Sequence, residues 1–267
     1  QVPKAKLGEM MSLEADRMRH LNLDPKEFAK EIKVVMEERR MRTDDQPQAL
    51  LFENLNAVAF QAHPYRRPVI GWMPDLERMT AADLRDWYDR WYEPNNATLV
   101  VVGDVDHQQV FRQARQYYGP LKARALPPRK VVEEPDQKGE RQVTVKAPAE
   151  LPQVLLAWKA PTLRDVNKDC DPYALEMLGA VLDGHDGARL TQHLVKDQRL
   201  AQSVGSGYDN SSRGPSLFLM LGTPAEGHTP AELEAALKAE VARIAADGVS
   251  EEELKRARAQ LEIGRAH

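Results

Sequence analysis

QSVGSGYDNSSRGPSLFLMLGT, residues 202–223, holds two runs that read as strands, QSVGSGYD (202–209) and PSLFLMLGT (215–223). Working outward from this pair gives the order of the whole second half. Upstream lie two helical segments, DPYALEMLGAVLDG (171–184), with Asp171 as its N-cap, and GARLTQHLVKDQR (187–199). Further upstream are two more strands, RQVTVKA (141–147), which alternates as a half-buried strand should, and PQVLLAWKA (152–160). Downstream, Thr229 and Ser250 begin two capped helices, TPAELEAALKAEVARIAADG (229–248) and SEEELKRARAQLEIG (250–264). The order strand, strand, helix, helix, strand, strand, helix, helix predicts an α+β sandwich, with helices against a mainly antiparallel sheet.

The first half reads differently. KLGEMMSLEADRMRH (6–20) is an amphipathic helix. In LDPKEF, Asp24 is the N-cap of the next helix, Pro25 its first residue and Glu27 the capping-box acid. QPQALLFENLNAVAFQ (46–61) is a third helix. HPYRRPVIGWMPDLERM (63–79), with three prolines and a glycine, is an ordered loop. TAADLRDWYDRWY (80–92) is a helix capped by Thr80, with Leu84, Trp87, Tyr88 and Trp91 on its buried side. TLVVVG (98–103) is a continuous apolar strand, and Asp106 caps the helix HQQVFRQARQYYG, which ends at Gly119. One strand cannot form a sheet, so its partners are expected before residue 1. Residues 123–139, rich in proline and charge, are expected to link two domains, 1–122 and 140–267.

Composition narrows the function. A net charge of −4 gives no reason to expect nucleic acid or an anionic membrane as partner, and no run of apolar residues is long enough to span a bilayer. The single cysteine, Cys170, excludes an internal disulfide and a thiolate metal cage; it is expected to be a half-buried small hydrophobe. The seven histidines, His20, His63, His107, His185, His193, His228 and His267, form neither H-E-x-x-H nor H-x-x-E-H. His185 is expected in a surface loop. There is no nucleophile elbow, Walker loop or dinucleotide loop.

One segment remains. EIKVVMEERRMRTDD (31–45) places Glu31 and Glu38 seven residues apart in a helix, within about 20° of one stripe. Ile32, Val34 and Val35 sit beside that stripe, where a purely solvated face would not need them. A carboxylate there could ligate a metal whose other ligands come from elsewhere; a surface helix with scattered acids is the plainer alternative.

This segment resembles the one that follows the inverted H-x-x-E-H helix of pitrilysin/insulinase-type (inverzincin) zinc peptidases. HPYRRPVIGWMPDLERMTAADLRDWYDRWYEPNNATLVVVGDVD resembles the same family through loop, helix, turn and strand, and YYGPL and residues 171–209 look like the start and middle of its second domain. The resemblance implies a LuxS/mitochondrial-processing-peptidase-like metallohydrolase fold, α+β, with a truncated first domain followed by most of a second. It also implies peptide hydrolysis with zinc as cofactor: Glu38 matches the glutamate ligand, Glu31 the supporting carboxylate, and Glu37 points about 100° away. The two histidine ligands and the general base are not in these residues, so this chain alone is expected to be inactive and not to hold zinc tightly. DGHDGARL departs from the glycine-rich loop of the family, with His185 and Asp186 in place of small residues. Val195 and Gln202 stand nearest the positions where some members carry a substrate-holding Arg and Tyr. That pattern fits a zinc-bearing half that works with a homologous partner subunit or as a homodimer on a peptide substrate, which in this family adds as a strand to a sheet edge. A non-catalytic partner or scaffold is the alternative. A bacterial source fits the resemblance, with periplasm and cytoplasm both open.

Overall fold

The computed structural model describes residues 1–265, with side chains through Glu262; His267 lies outside the described residues. The described helices are α1 (Leu7–His20), α2 (Pro25–Arg39), α3 (Pro47–Ala59), α4 (Met73–Arg78), α5 (Ala81–Trp91), α6 (His107–Tyr118), α7 (Asp171–Asp183), α8 (Pro230–Asp247) and α9 (Glu251–Arg265). The strands are β1 (Val154–Ala160), β2 (Ala201–Tyr208) and β3 (Ser216–Pro224). The chain divides into two compact units. One comprises Gln1–Arg40 and Ile70–Val131, the other Met41–Val69 and Val132–His267.

The first unit is helical. Asp24 accepts a hydrogen bond from the Lys26 backbone N–H and starts α2; Glu27 pairs with Lys30. Thr80 and Asp83 form a reciprocal capping box on α5, and Asp106 accepts from the Gln109 N–H at the head of α6. Met11, Ala15 and Met18 of α1 are buried, as is Tyr88 of α5, whose hydroxyl donates to the Arg17 carbonyl. Gly8 lets α6 approach α1, since a Cβ there would sit 3.2 Å from the Gln113 side chain. Arg19 meets the fully buried Glu93 through both carboxylate oxygens, at 3.0 and 3.2 Å.

The second unit contains the sheet, in the order β1-β3-β2 with both pairings antiparallel. Trp158 faces Phe218 across one ladder, and Tyr208 faces the same Phe218 across the other. Ser216, Phe218 and Met220 of β3 are buried at alternate positions, as a strand with one face on a core requires. Leu182, Leu190, Leu194, Met220, Leu233 and Leu237 are fully buried around them. Helix α8 packs on β1 and β3, and α7 on β2 and α9. Gly222 permits the α8 contact, because a Cβ there would stand 2.9 Å from Leu233. Residues 123–139 contain no helix or strand. Within them Glu134 accepts from three successive N–H groups, those of Gln61, Ala62 and His63, at 2.7–2.8 Å.

Several expectations need correction. TLVVVG and RQVTVKA have no ladder partner among the described residues and are not strands. Leu99, Val100 and Val102 are accordingly exposed. The proline-rich loop contains α4, because Pro74 falls in its first turn, where a missing N–H costs nothing. Trp87 is 58% exposed, so the buried side of α5 is narrower than its aromatic count suggested. Asp171 is the first residue of α7, and the cap position is Cys170, which is exposed. Residues 191–197 form π-helical turns rather than a regular α-helix. PSLFLMLGT is the central strand, so of the two runs in residues 202–223 only β2 offers an edge. Even there, the Ser206 N–H is taken by Asp183 at 3.0 Å.

Candidate functional site

Helix α2 carries the candidate site. It packs against α4 and α5 and runs on as a π-helical turn, Arg40–Asp44. At the junction the Arg40 N–H is shared between the Glu37 and Met36 carbonyls, a three-centre bond common at helix ends. Glu31 is exposed and Glu38 half-buried. Seven residues of helix rise by about 10 Å, so the two carboxylates occupy successive levels of one stripe and would not grip one ion as neighbouring ligands. Val34, expected to pack the helix, is 57% exposed, whereas Ile32, Val35 and Met36 are half-buried. Glu37 pairs with Arg40.

Sequence reasoning passed over Arg39, which is 5% exposed. Its Nη1 donates to the Gly71 carbonyl at 2.8 Å, and its guanidinium lies 5.7 Å from the centre of the Trp72 ring. Gly71 has φ of +89°, a backbone geometry that favours glycine. Nothing in the spelling EERR separates a buried arginine from an exposed one.

Zinc takes about four ligands at about 2.0–2.3 Å. Among the described residues no three His, Cys, Asp or Glu side chains converge to hold a metal. The donor chemistry present therefore fits one ligand, the half-buried Glu38 carboxylate on a packed helix, and not a complete site. Among the described histidines, His20 is bonded to Asp16 at 2.9 Å, His63 is in edge contact with Tyr65, His107 lies beside Gln108 and Phe111, and His185 accepts from the Gly187 N–H at 3.0 Å, whereas the buried Nδ1 of His228 has no hydrogen-bond partner. His193 is bound to the fully buried Glu240 at 2.9 Å, with Arg243 also on that carboxylate at 2.8 Å. Val195 packs against the core of the second unit, and Gln202 is exposed at the β2 irregularity.

Other carboxylates are tuned for structure. Burial pushes the Glu134 carboxyl up, but the N–H groups of Gln61, His63 and Ala62 together with Lys159 outweigh it and bring it down to about 2. Arg189 holds Glu253 at about 2 through a two-point contact at 2.5 and 2.9 Å. Burial raises Asp183, opposed by its bond from Ser206.

This arrangement, helices over a small antiparallel sheet, is the fold of M16-like peptidases. A protease from Helicobacter pylori superposes with a TM-score of 0.89 at 30% identity, over 99% of this chain and 64% of that one. A putative M16-like peptidase from Alicyclobacillus acidocaldarius gives 0.74 at 20% identity, over 98% and 61%, which shows the fold alone. The chain belongs to peptidase family M16: residues 78–261 match the Peptidase M16 inactive domain, and residues 1–72 match Insulinase (Peptidase family M16). A Helicobacter pylori protein named zinc protease PqqE is 34% identical over 245 residues, 90% of this chain and 53% of that protein. The chain thus spans about half the length of the curated relatives it matches. No described helix is long and apolar enough to cross a membrane.

Proposed function

We propose that the protein to which these residues belong is a zinc-dependent metalloendopeptidase that cleaves peptides or unfolded segments. In this reading Glu38 is one zinc ligand and Glu31 the carboxylate that supports it. The observation that carries the reading is the placement of both on one stripe of α2, inside the residues that match the Insulinase family. Zinc, when bound, lowers the pKa of a water and so supplies the nucleophile. Glu38 contributes charge and a fixed direction from a packed helix; the remaining ligands come from the part of the relatives' length that this chain does not span. These residues alone would be inactive. Residues 78–261, which match the Peptidase M16 inactive domain, supply no zinc ligand in this reading.

A second reading, a non-catalytic homologous partner subunit or scaffold, draws on the same inactive-domain match. One experiment separates the two. The full-length protein is purified, and its zinc content and endopeptidase activity are measured beside those of Glu38→Gln. The peptidase reading expects about one zinc per chain in the wild type, loss of zinc and of proteolysis in Glu38→Gln, and an unchanged far-UV spectrum. A full-length protein that binds no zinc, or a Glu38→Gln variant that retains it at full affinity, defeats that reading.

A further inference from the structure

We propose that Arg39 is a positioning residue for Glu38, fixing the direction of that carboxylate at the point where α2 changes pitch; this rests on the reading of Glu38 as a ligand. In a regular α-helix the i to i−4 ladder fixes the direction of every side chain. Just after Glu38 the helix changes pattern: the Arg40 N–H still reaches the Met36 carbonyl, and Arg40–Asp44 then follows as a wider π-helical turn. Irregular turns of this kind inside helices recur at functional sites. At such a change of pattern a tertiary tie can decide where the neighbouring side chains point. Arg39 provides it. A helix-end arginine ordinarily reaches solvent, as Arg40 does, yet Arg39 is 5% exposed. Its Nη1 is bonded to the Gly71 carbonyl, and its planar face lies over Trp72. Both anchors sit immediately before α4, a helix packed against α2. A charge taken so far out of water holds its hydrogen-bonded geometry, because leaving it would strand the charge without partners.

A residue one position along the helix points about 100° away, so Arg39 touches the support while Glu38 faces the stripe. Outer-shell partners of metal ligands typically alter metal affinity by 10- to 100-fold, and lysine replaces arginine poorly where a planar group stacks. Three variants of the full-length protein test the proposal: Arg39→Met, Arg39→Lys and Trp72→Leu. Zinc affinity is read by chelator competition, and hydrogen exchange is read at the amides of residues 38–44. Arg39→Met is expected to weaken zinc by about tenfold or more and to speed that exchange. Arg39→Lys, still able to donate to Gly71, should recover part of both. Trp72→Leu, which leaves the charge in place, covers the case in which Arg39→Met does not fold, and should weaken zinc to a smaller degree. Unchanged zinc affinity in Arg39→Met, or in Trp72→Leu if Arg39→Met is unfolded, overturns the proposal. If Glu38→Gln loses zinc while Arg39→Met keeps it, only the positioning role falls. If Glu38→Gln itself keeps zinc, the ligand reading falls and this one with it.

Discussion

Glu134 shows how much one side chain can organise in a stretch without regular structure. Its carboxylate gathers the N–H groups of Gln61, Ala62 and His63, and Lys159 approaches at 3.1 Å. The four donors favour the charged form and draw the group from 4.5 to about 2. A carboxyl depressed on folding stabilises the native state above its unfolded pKa, and that contribution disappears as pH falls through the folded value. The thermal midpoint of the wild type should therefore exceed that of Glu134→Gln at pH 7. The gap should narrow from about pH 5 downward and close near pH 2. A gap independent of pH would show that the charge on Glu134 is not what matters. Glu93 lies deeper still, at 1% exposure against Arg19. Glu93→Gln would leave Arg19 with a neutral partner in a buried setting, and a loss of about 3–5 kcal/mol in denaturant unfolding is expected; a loss below about 1 kcal/mol would mark the pair as solvent-screened in practice.

Helix ends carry much of the order at the scale of elements. Thr229 accepts from the Glu232 N–H, and Glu232 returns the contact to the Thr229 N–H at 2.6 Å, closing a capping box on α8. Thr229→Ala should cost about 1 kcal/mol and raise hydrogen exchange in the first turn of α8. Equal exchange in the two proteins would show that packing against β1 and β3 holds that turn without its cap. Strand β2 is limited by a different device. Asp183 at the end of α7 takes the Ser206 N–H, and the Ser206 hydroxyl donates to the Gly179 carbonyl, so the outer edge of β2 is partly closed to an incoming strand. A peptide that adds by strand pairing to this unit would meet an interrupted ladder at Ser206.

For the molecule as a whole, the second unit owes its stability to the layer between sheet and helices. Met220, central in β3 and fully buried, touches the cluster that includes Leu182, Leu233 and Leu237. Met220→Ala should lower unfolding stability by about 2–5 kcal/mol, and a loss under about 1 kcal/mol would mean the layer collapses readily around the gap. The first unit has no sheet among its described residues, and Leu99, Val100 and Val102 of its apolar run are exposed for want of a ladder partner. Its order comes from α1, α5 and α6 packing and from buried pairs such as Arg19 with Glu93.

The sequence by itself determined the elements whose signals are local. The caps at Asp24, Thr80, Asp106, Thr229 and Ser250 follow from side chains that reach backbone donors within three residues, and each forms, although Glu27, read as the capping-box acid of α2, pairs with Lys30 instead. The runs in β1, β2 and β3 were legible because burial on one face or two leaves a pattern in the side chains. The spacing of Glu31 and Glu38 was legible because helical geometry alone fixes it. What depended on distant partners was not legible. TLVVVG has the composition of a central strand, but a strand exists only where a neighbour supplies its hydrogen bonds. Trp87 and Val34 have the chemistry of core residues, yet only the packing of their helices decides which faces are covered. Arg39 and Arg40 are adjacent and identical in type. One is buried on Gly71 and Trp72 and the other pairs with Glu37 in solvent, because the tertiary structure, and not the residue, sets where each side chain ends.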